Sequence, residues 1–405
     1  MAFKIFLLWT FILLGRPQDL IGALQAVRPA LVMAALSAAT AFTGPEGKNL
    51  SAVFRLPETK KYIIFYLIMI IGIPFAYHRG VAFNFVILTY LVNVLFFIIF
   101  VLEVDSFKKL KTVLFLICLC TLFYGFFGLM TGSFLYGRFV IYGGMFDPND
   151  IAYVLISLFP LSFYFVMHRE GKMKKGFAIG SIITALIVVL YTGSRGGMVG
   201  LLAVIAYFML TKTYGIKGSH KIIFIAAMLV LLFAVRDKID IERYLTLTDV
   251  GSDYNVTDEF GRFAIWGRAF DLLLANPLTG VGAECSGMAI GYAREALGIV
   301  AKWQEVHNTY IQVAVETGVP GFLVFFLLII QSLRSFSRFK KIKATSKDMV
   351  EFKTISGLLL VAFIGQLVTA FFITQAYSLF FTTFFALSAV MKNIYRRMGD
   401  QSTTG

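Results

Sequence analysis

Apolar runs of membrane-spanning length recur down nearly the whole chain, and no other feature limits its fold as much. Twelve can be drawn, at roughly 2–15, 24–42, 61–77, 81–102, 112–130, 148–167, 177–193, 196–211, 221–236, 318–334, 354–374 and 376–391. A chain that is 58% hydrophobic, with 43 phenylalanines, carries more apolar surface than a soluble domain can cover, so its solvent is lipid. In lipid every backbone polar group must be satisfied within its own segment, which selects helices. The expected fold is an all-α polytopic membrane protein of about twelve transmembrane helices. The first run passes into "GRPQDL" without a small-residue cleavage site and reads as a retained helix. The expected division is helices one to nine over 1–236, one large outer loop over 237–317, and three more helices with a tail over 318–405.

The net charge of +14 raises the question of nucleic acid, but its distribution answers it differently. If the spans alternate with the N-terminus inside, five inner loops and both termini hold 25 of the 37 Lys and Arg residues. By the positive-inside rule that face is cytoplasmic, which puts both termini in the cytoplasm and the 237–317 loop outside. No nucleic-acid partner is needed. The inner face prefers lysine, whereas ten of the twelve outer basic residues are arginines: Arg16, Arg28, Arg79, Arg138, Arg195, Arg236, Arg243, Arg262, Arg268 and Arg294. Lysine suffices for anchoring at anionic lipid, while a planar guanidinium binds phosphate or carboxylate in a bidentate manner. The outer face is therefore suited to an anion, the plainer reading being that these arginines pair with outer acids and cap helix ends. Cys118 and Cys120 lie within a span and Cys285 stands alone, so neither a disulfide framework nor a CxxC metal pair is available.

Three outer elements carry the chemistry. Asp147, Pro148 and Asp150 fit an N-cap, a proline at N1 and an acid in the first turn; the alternative is a sugar-hydroxyl or arginine-orienting role, with a divalent metal less favoured. "TGSRGG" places Arg195 in a tight turn whose glycines could bring backbone N–H groups to a ligand; it lacks the lysine and spacing of a Walker A loop. A compact turn with an arginine reaching lipid phosphate is the alternative. Within the large loop, apolar residues from Phe260 to Leu274 recur at helical spacing and predict an amphipathic interfacial helix ended by Asn276-Pro277, with Arg262 and Arg268 nearly two turns apart. The Asn255 sequon carries no weight in a bacterial periplasm.

The stretch "VHNTYIQVAVETGVPGF" closes that loop. Asn308, Gln312 and Glu316 stack at i, i+4 and i+8, and "GVPG" ends or bends the helix before the next apolar run. Polar groups at membrane depth face a cavity or a partner. His307, at the helix start, has a pKa suited to proton transfer.

His307-Asn308 followed after nine residues by Gly318-x-x-Gly321 resembles the signature of the O-antigen ligase and polymerase superfamily, and "GRFAIWGRAFDLLLANPLTGVGAE" and "TGSRGG" resemble the regions before it, over roughly Leu190 to Phe322. The resemblance implies a GT-C-like polytopic glycosyltransferase in the bacterial inner membrane, with a periplasmic active site and no metal or other cofactor. The implied donor is a glycan on undecaprenyl pyrophosphate, and the acceptor is a lipid A-core sugar hydroxyl, a second glycan, or a protein serine or threonine. It implies the motif histidine as base and arginines on the pyrophosphate; placed on this chain, His307 takes the acceptor proton and Arg195 and Arg262 hold the departing diphosphate, and the residue reading adds Arg268, Arg138, Asn308, Asp147 and Glu316 at the substrates. A ligase is preferred over a polymerase or a protein O-oligosaccharyltransferase. A transporter of lipid-linked glycan is disfavoured, because most charges sit at span ends rather than at mid-membrane. A scaffold would not explain the lysine and arginine split.

Overall fold

The computed structural model describes all residues except 26, 44–49, 142–146, 212–217, 246–260, 299, 301–302 and 403–405. Phe260 and the Asn255 sequon lie outside the described residues. The principal helices are α1 (Ala2–Gly15), α2 (Pro29–Thr43), α3 (Pro57–Gly72), α4 (Arg79–Glu103), α5 (Phe107–Thr131), α6 (Pro148–Met167) and α7 (Lys172–Tyr191). They continue with α8 (Arg195–Leu210), α9 (Gly218–Val235), α10 (Arg262–Ala275), α11 (Ser286–Ala296), α12 (Thr309–Phe339), α13 (Lys347–Ala370) and α14 (Leu379–Ser402). Helices thus stand at each of the twelve apolar runs. Among the described residues six of them, α4 to α7, α12 and α13, are long and apolar enough to cross a membrane. At 14 to 16 residues, α1, α2 and α8 reach only about 21–24 Å, short of a hydrocarbon core of about 30 Å without tilt or thinning.

The departure from helix is a small hairpin, β1 (Ser133–Leu135) with β2 (Arg138–Val140), turned at Tyr136 and Gly137, both with positive φ. That is the two-residue turn whose twist matches antiparallel strands. It projects Arg138 from β2 next to the start of α6 and the end of α7.

At the centre, α6 and α13 pack against each other and are the most enclosed spans. Gly196, Gly197 and Gly200 let α8 approach them: an added Cβ would lie 2.5 Å from Phe372, 2.6 Å from Ala152 and 2.0 Å from Thr369. These glycines make close helix contacts, as small residues do in membranes, rather than a bed for a ligand. Segment Asn84–Tyr90 of α4 is wound as a π-helix, a form concentrated at functional sites.

A second, smaller core forms outside the bundle, where Ile265, Ala269 and Leu272 of α10 meet Val281, Cys285, Ala289, Ile290, Val306 and Val315. It is fastened to α12 at the "GVPG" break. Gly318 has φ 66° and ψ −177°, so α12 is two helices joined by a kink. Pro320 lacks an N–H, and the Val319 N–H turns away to donate to the Pro277 carbonyl at 2.8 Å. The carbonyls of Val315 and Glu316 thereby lose their helical partners and accept instead from the Val281 and Gly282 N–H groups, at 2.8 and 3.1 Å. "PLTGVG" and "VETGVP" are two halves of one joint.

Candidate functional site

Below this joint lies a cavity of about 920 Å³ at the end of the bundle that carries the 237–317 segment. Its wall is chemically mixed. Leu13, Leu31, Phe85, Leu88 and Val92, from α1, α2 and α4, make its apolar part, with Leu31 and Leu88 exposed on the bundle surface. The π-wound turn contributes Phe85, Leu88 and Thr89. The charged and polar part of the lining includes Arg16, Asp147, Asp150, Glu284, Glu305, His307 and Gln312.

His307 is held by its backbone. It takes φ 49° immediately before the N-cap of α12, a left-handed conformation that costs energy for a residue with a Cβ and that clusters at functional sites. The Trp266 indole N–H donates to the carbonyl of Val306 at 2.9 Å, and the His307 N–H donates to Thr374 Oγ1 at 2.9 Å. Around it, Thr309 Oγ1 donates to the Ile373 carbonyl and accepts from the Gln375 N–H, while Gln312 Oε1 accepts from the Ala376 N–H. The imidazole is thus fixed by α10 on one flank and by the α13–α14 connection on the other, and remains solvent-accessible in a crowded bowl. Desolvation in that bowl lowers its pKa below the ordinary value; the nearby Arg262 charge lowers it further and Asp147 opposes.

Asp147 links two groups of expected site residues. It caps α6, its Oδ1 accepting from the Asn149 N–H at 2.8 Å, with Pro148 at N1 as its sequence suggested. Its charge acts both on His307 and on Arg138. Arg138 donates through Nη2 to Asn149 Oδ1 at 3.0 Å and through Nε to the Thr192 carbonyl at 3.2 Å. Ser194 joins the same Asn149 oxygen at 2.8 Å and caps α8, which begins at Arg195. Arg243, absent from the expected set, donates Nε to the Gly193 carbonyl at 2.9 Å. Arg138, Arg195 and Arg243 therefore crowd one flank, and burial together with the Arg243 and Arg195 charges lowers the Arg138 pKa against the pull of Asp147. Arg262 opens α10 on the His307 side; Arg268, six residues on, lies about 120° away around that helix.

Of the expected site residues, His307 and Asp147 line the cavity; Arg138, Arg195, Arg262 and Arg268 do not, and Asn308 and Glu316 are engaged in the scaffold. Asn308 Oδ1 accepts from the Tyr310 and Ile311 N–H groups and caps α12. Glu316 is buried, and its carboxyl oxygens accept from the Glu284 N–H, the Ser286 N–H and Ser286 Oγ at 3.0, 3.2 and 2.6 Å, which seats the group at the α11 N-terminus. The split of outer arginines also has plainer members. Arg236 pairs with Asp237, and Arg294 is buried with Nε on the Val300 carbonyl, whereas Arg16 pairs with Asp19 and also lines the cavity. Sequence reasoning missed Glu284 and Glu305. Desolvation by the surrounding protein raises the pKa of both above the ordinary carboxylate value, and the Glu305 charge adds to the rise at Glu284.

The fold and this site define a polytopic helical membrane protein with a polar cavity at one end and exposed apolar residues, Leu31 and Leu88, in its wall. Residues 180–326 match the family model described as O-Antigen ligase, which bears out the superfamily resemblance over that segment. The match spans α8, the arginine turn, the outer helices, His307 and the kink of α12. No curated protein matches the chain.

Proposed function

We propose that the chain is a lipid-linked glycan ligase, acting in the bacterial inner membrane with its cavity at the periplasmic face, both termini cytoplasmic and twelve helices crossing. The observation that carries this reading is a strained, clamped and solvent-accessible histidine in a cavity whose lining combines carboxylates with apolar residues exposed on the bundle surface. The polyprenyl tail of an undecaprenyl pyrophosphate donor follows the Leu31 and Leu88 side. Sugar hydroxyls meet Asp150, Glu284 and Glu305, whose carboxyl oxygens accept their hydrogen bonds. The acceptor oxygen attacks the anomeric carbon, its proton passes to the His307 imidazole, and the bond from that carbon to the diphosphate oxygen breaks with inversion. Arg262 on one flank and Arg195 and Arg138 on the other, with Arg243 beside them, neutralise the leaving diphosphate, and Arg268 is a further contact.

The deciding experiment combines deletion with transfer by purified protein from a lipid-linked glycan. Full-length glycan stranded on its carrier and restored transfer to lipid A-core support a ligase. Accumulated single repeat units indicate a polymerase, and no transfer to any glycan or core acceptor sinks the reading.

The electrostatics give a pH test. A general base works only when neutral, so its lowered pKa keeps transfer active below the ordinary imidazole value of about 6.5 and loses it as pH falls through the shifted value. Arg262→Gln removes a charge that lowers this pKa and is expected to move the acid limb of kcat upward. Asp147→Asn removes one that raises it and is expected to move the limb downward. Limbs that stay in place, or move together, remove His307 as the base.

A further inference from the structure

At the other end of α12, a second cavity of about 380 Å³ opens between α3, α12 and α14. Its charged lining is wholly cationic: Lys61 on α3, Arg334 and Arg338 on α12, and Lys392 on α14. The nearest carboxylate is accounted for. Glu58 is fully buried behind the wall, and its Oε1 is paired with Lys392 at 2.7 Å and accepts from Ser388 Oγ at 3.1 Å. Lys61 donates to Gln331. Arg334 and Arg338 are exposed, and among the described residues neither has an acidic partner.

Residues i and i+4 on a helix are neighbours, so the two guanidiniums present adjacent forks to one small cavity. Such forks match phosphate oxygens bidentately, and two of them beside the Lys61 ammonium, with Lys392 already paired to Glu58, call for more than a single diffuse counterion. The apolar edge of the cavity supplies the rest of the ligand's shape. Leu327 lines it, and exposed Phe326 and Leu323 continue the strip along α12 toward the middle of that helix.

We propose that this cavity binds the phosphate headgroup of an anionic membrane phospholipid, with an acyl chain lying along Leu327, Phe326 and Leu323. The site is separate from the His307 cavity and takes a lipid that is not turned over. Basic pockets between membrane helices hold such headgroups, with each nearby Lys or Arg adding to the affinity.

The test uses the full-length protein in detergent, with thermal midpoints followed during titration by phosphatidylglycerol, phosphatidylcholine or inorganic phosphate. Phosphatidylglycerol is expected to stabilise saturably and phosphatidylcholine not. An R334Q/R338Q variant should keep its lipid-free midpoint and bind phosphatidylglycerol about tenfold more weakly or worse. K341Q/K343Q removes the same charge from neighbouring exposed positions and should bind as the parent does. Equal weakening in both variants, or no saturable effect of phosphatidylglycerol, overturns the site; stabilisation by inorganic phosphate at the same concentration overturns the lipid assignment.

Discussion

His307→Asn is expected to lower glycan transfer by about 10²- to 10⁴-fold, the contribution of a positioned general base, while leaving the thermal midpoint near that of the parent. Asparagine is the informative replacement because it tolerates a φ of 49° better than alanine, so loss of the base is not confounded with backbone strain. The described tie of His307 to its surroundings is made by its backbone N–H on Thr374, which any residue other than proline retains. His307→Ala should lose as much activity and somewhat more stability. Full transfer by both purified variants would end the assignment. A matching pair separates base from scaffold: Trp266→Phe frees the Val306 carbonyl and should reduce kcat by a smaller factor, with the acid limb of the pH profile still present.

The largest effect on stability is expected at Gly280. A Cβ there would stand 2.4 Å from the carbonyl carbon of Glu316 and 2.6 Å from the Thr317 nitrogen, both backbone atoms, at φ 67°. The conformation alone costs a side chain about 1–2 kcal/mol, and the overlap forces the two halves of the joint apart. Gly280→Ala should therefore lose more than about 2 kcal/mol, read as a lower thermal midpoint and faster proteolysis of the loop. Gly267→Ala is the control. A Cβ there meets nothing within 4 Å on an ordinary helix, so it should be neutral or gain up to about 1 kcal/mol. Equal behaviour of the two variants would mean that the joint contributes little.

Hydropathy located the helices and Gly-x-Pro located the kink, because both depend on local chemistry: apolar length and a missing donor. His307 was legible for a similar reason, standing alone at the start of a polar-faced helix. The work of Glu316 was not, because its partners Glu284 and Ser286 lie some thirty residues away and the sequence gives no register between loop and helix. Asn308 shows the same limit at short range. Its spacing with Gln312 and Glu316 suggested one polar face, yet its own side chain turns back to cap the helix. Asn149 was passed over, and Arg243 was not singled out from the ten outer arginines, because their contacts to Ser194, Arg138 and Gly193 cross 45, 11 and 50 residues. The arginine excess did point to this end of the protein, but it counted structural arginines such as Arg294 together with those beside Asp147.

The joint at Gly318 also separates two mechanical duties. Beyond it, the remainder of α12 must match the hydrocarbon thickness and tilts when that thickness changes. Before it, Thr309 to Thr317 is held by the outer core and the 373–376 turn, independently of lipid contact. The position of His307 is then set by contacts within the protein, namely the small second core, the 373–376 turn and the joint itself.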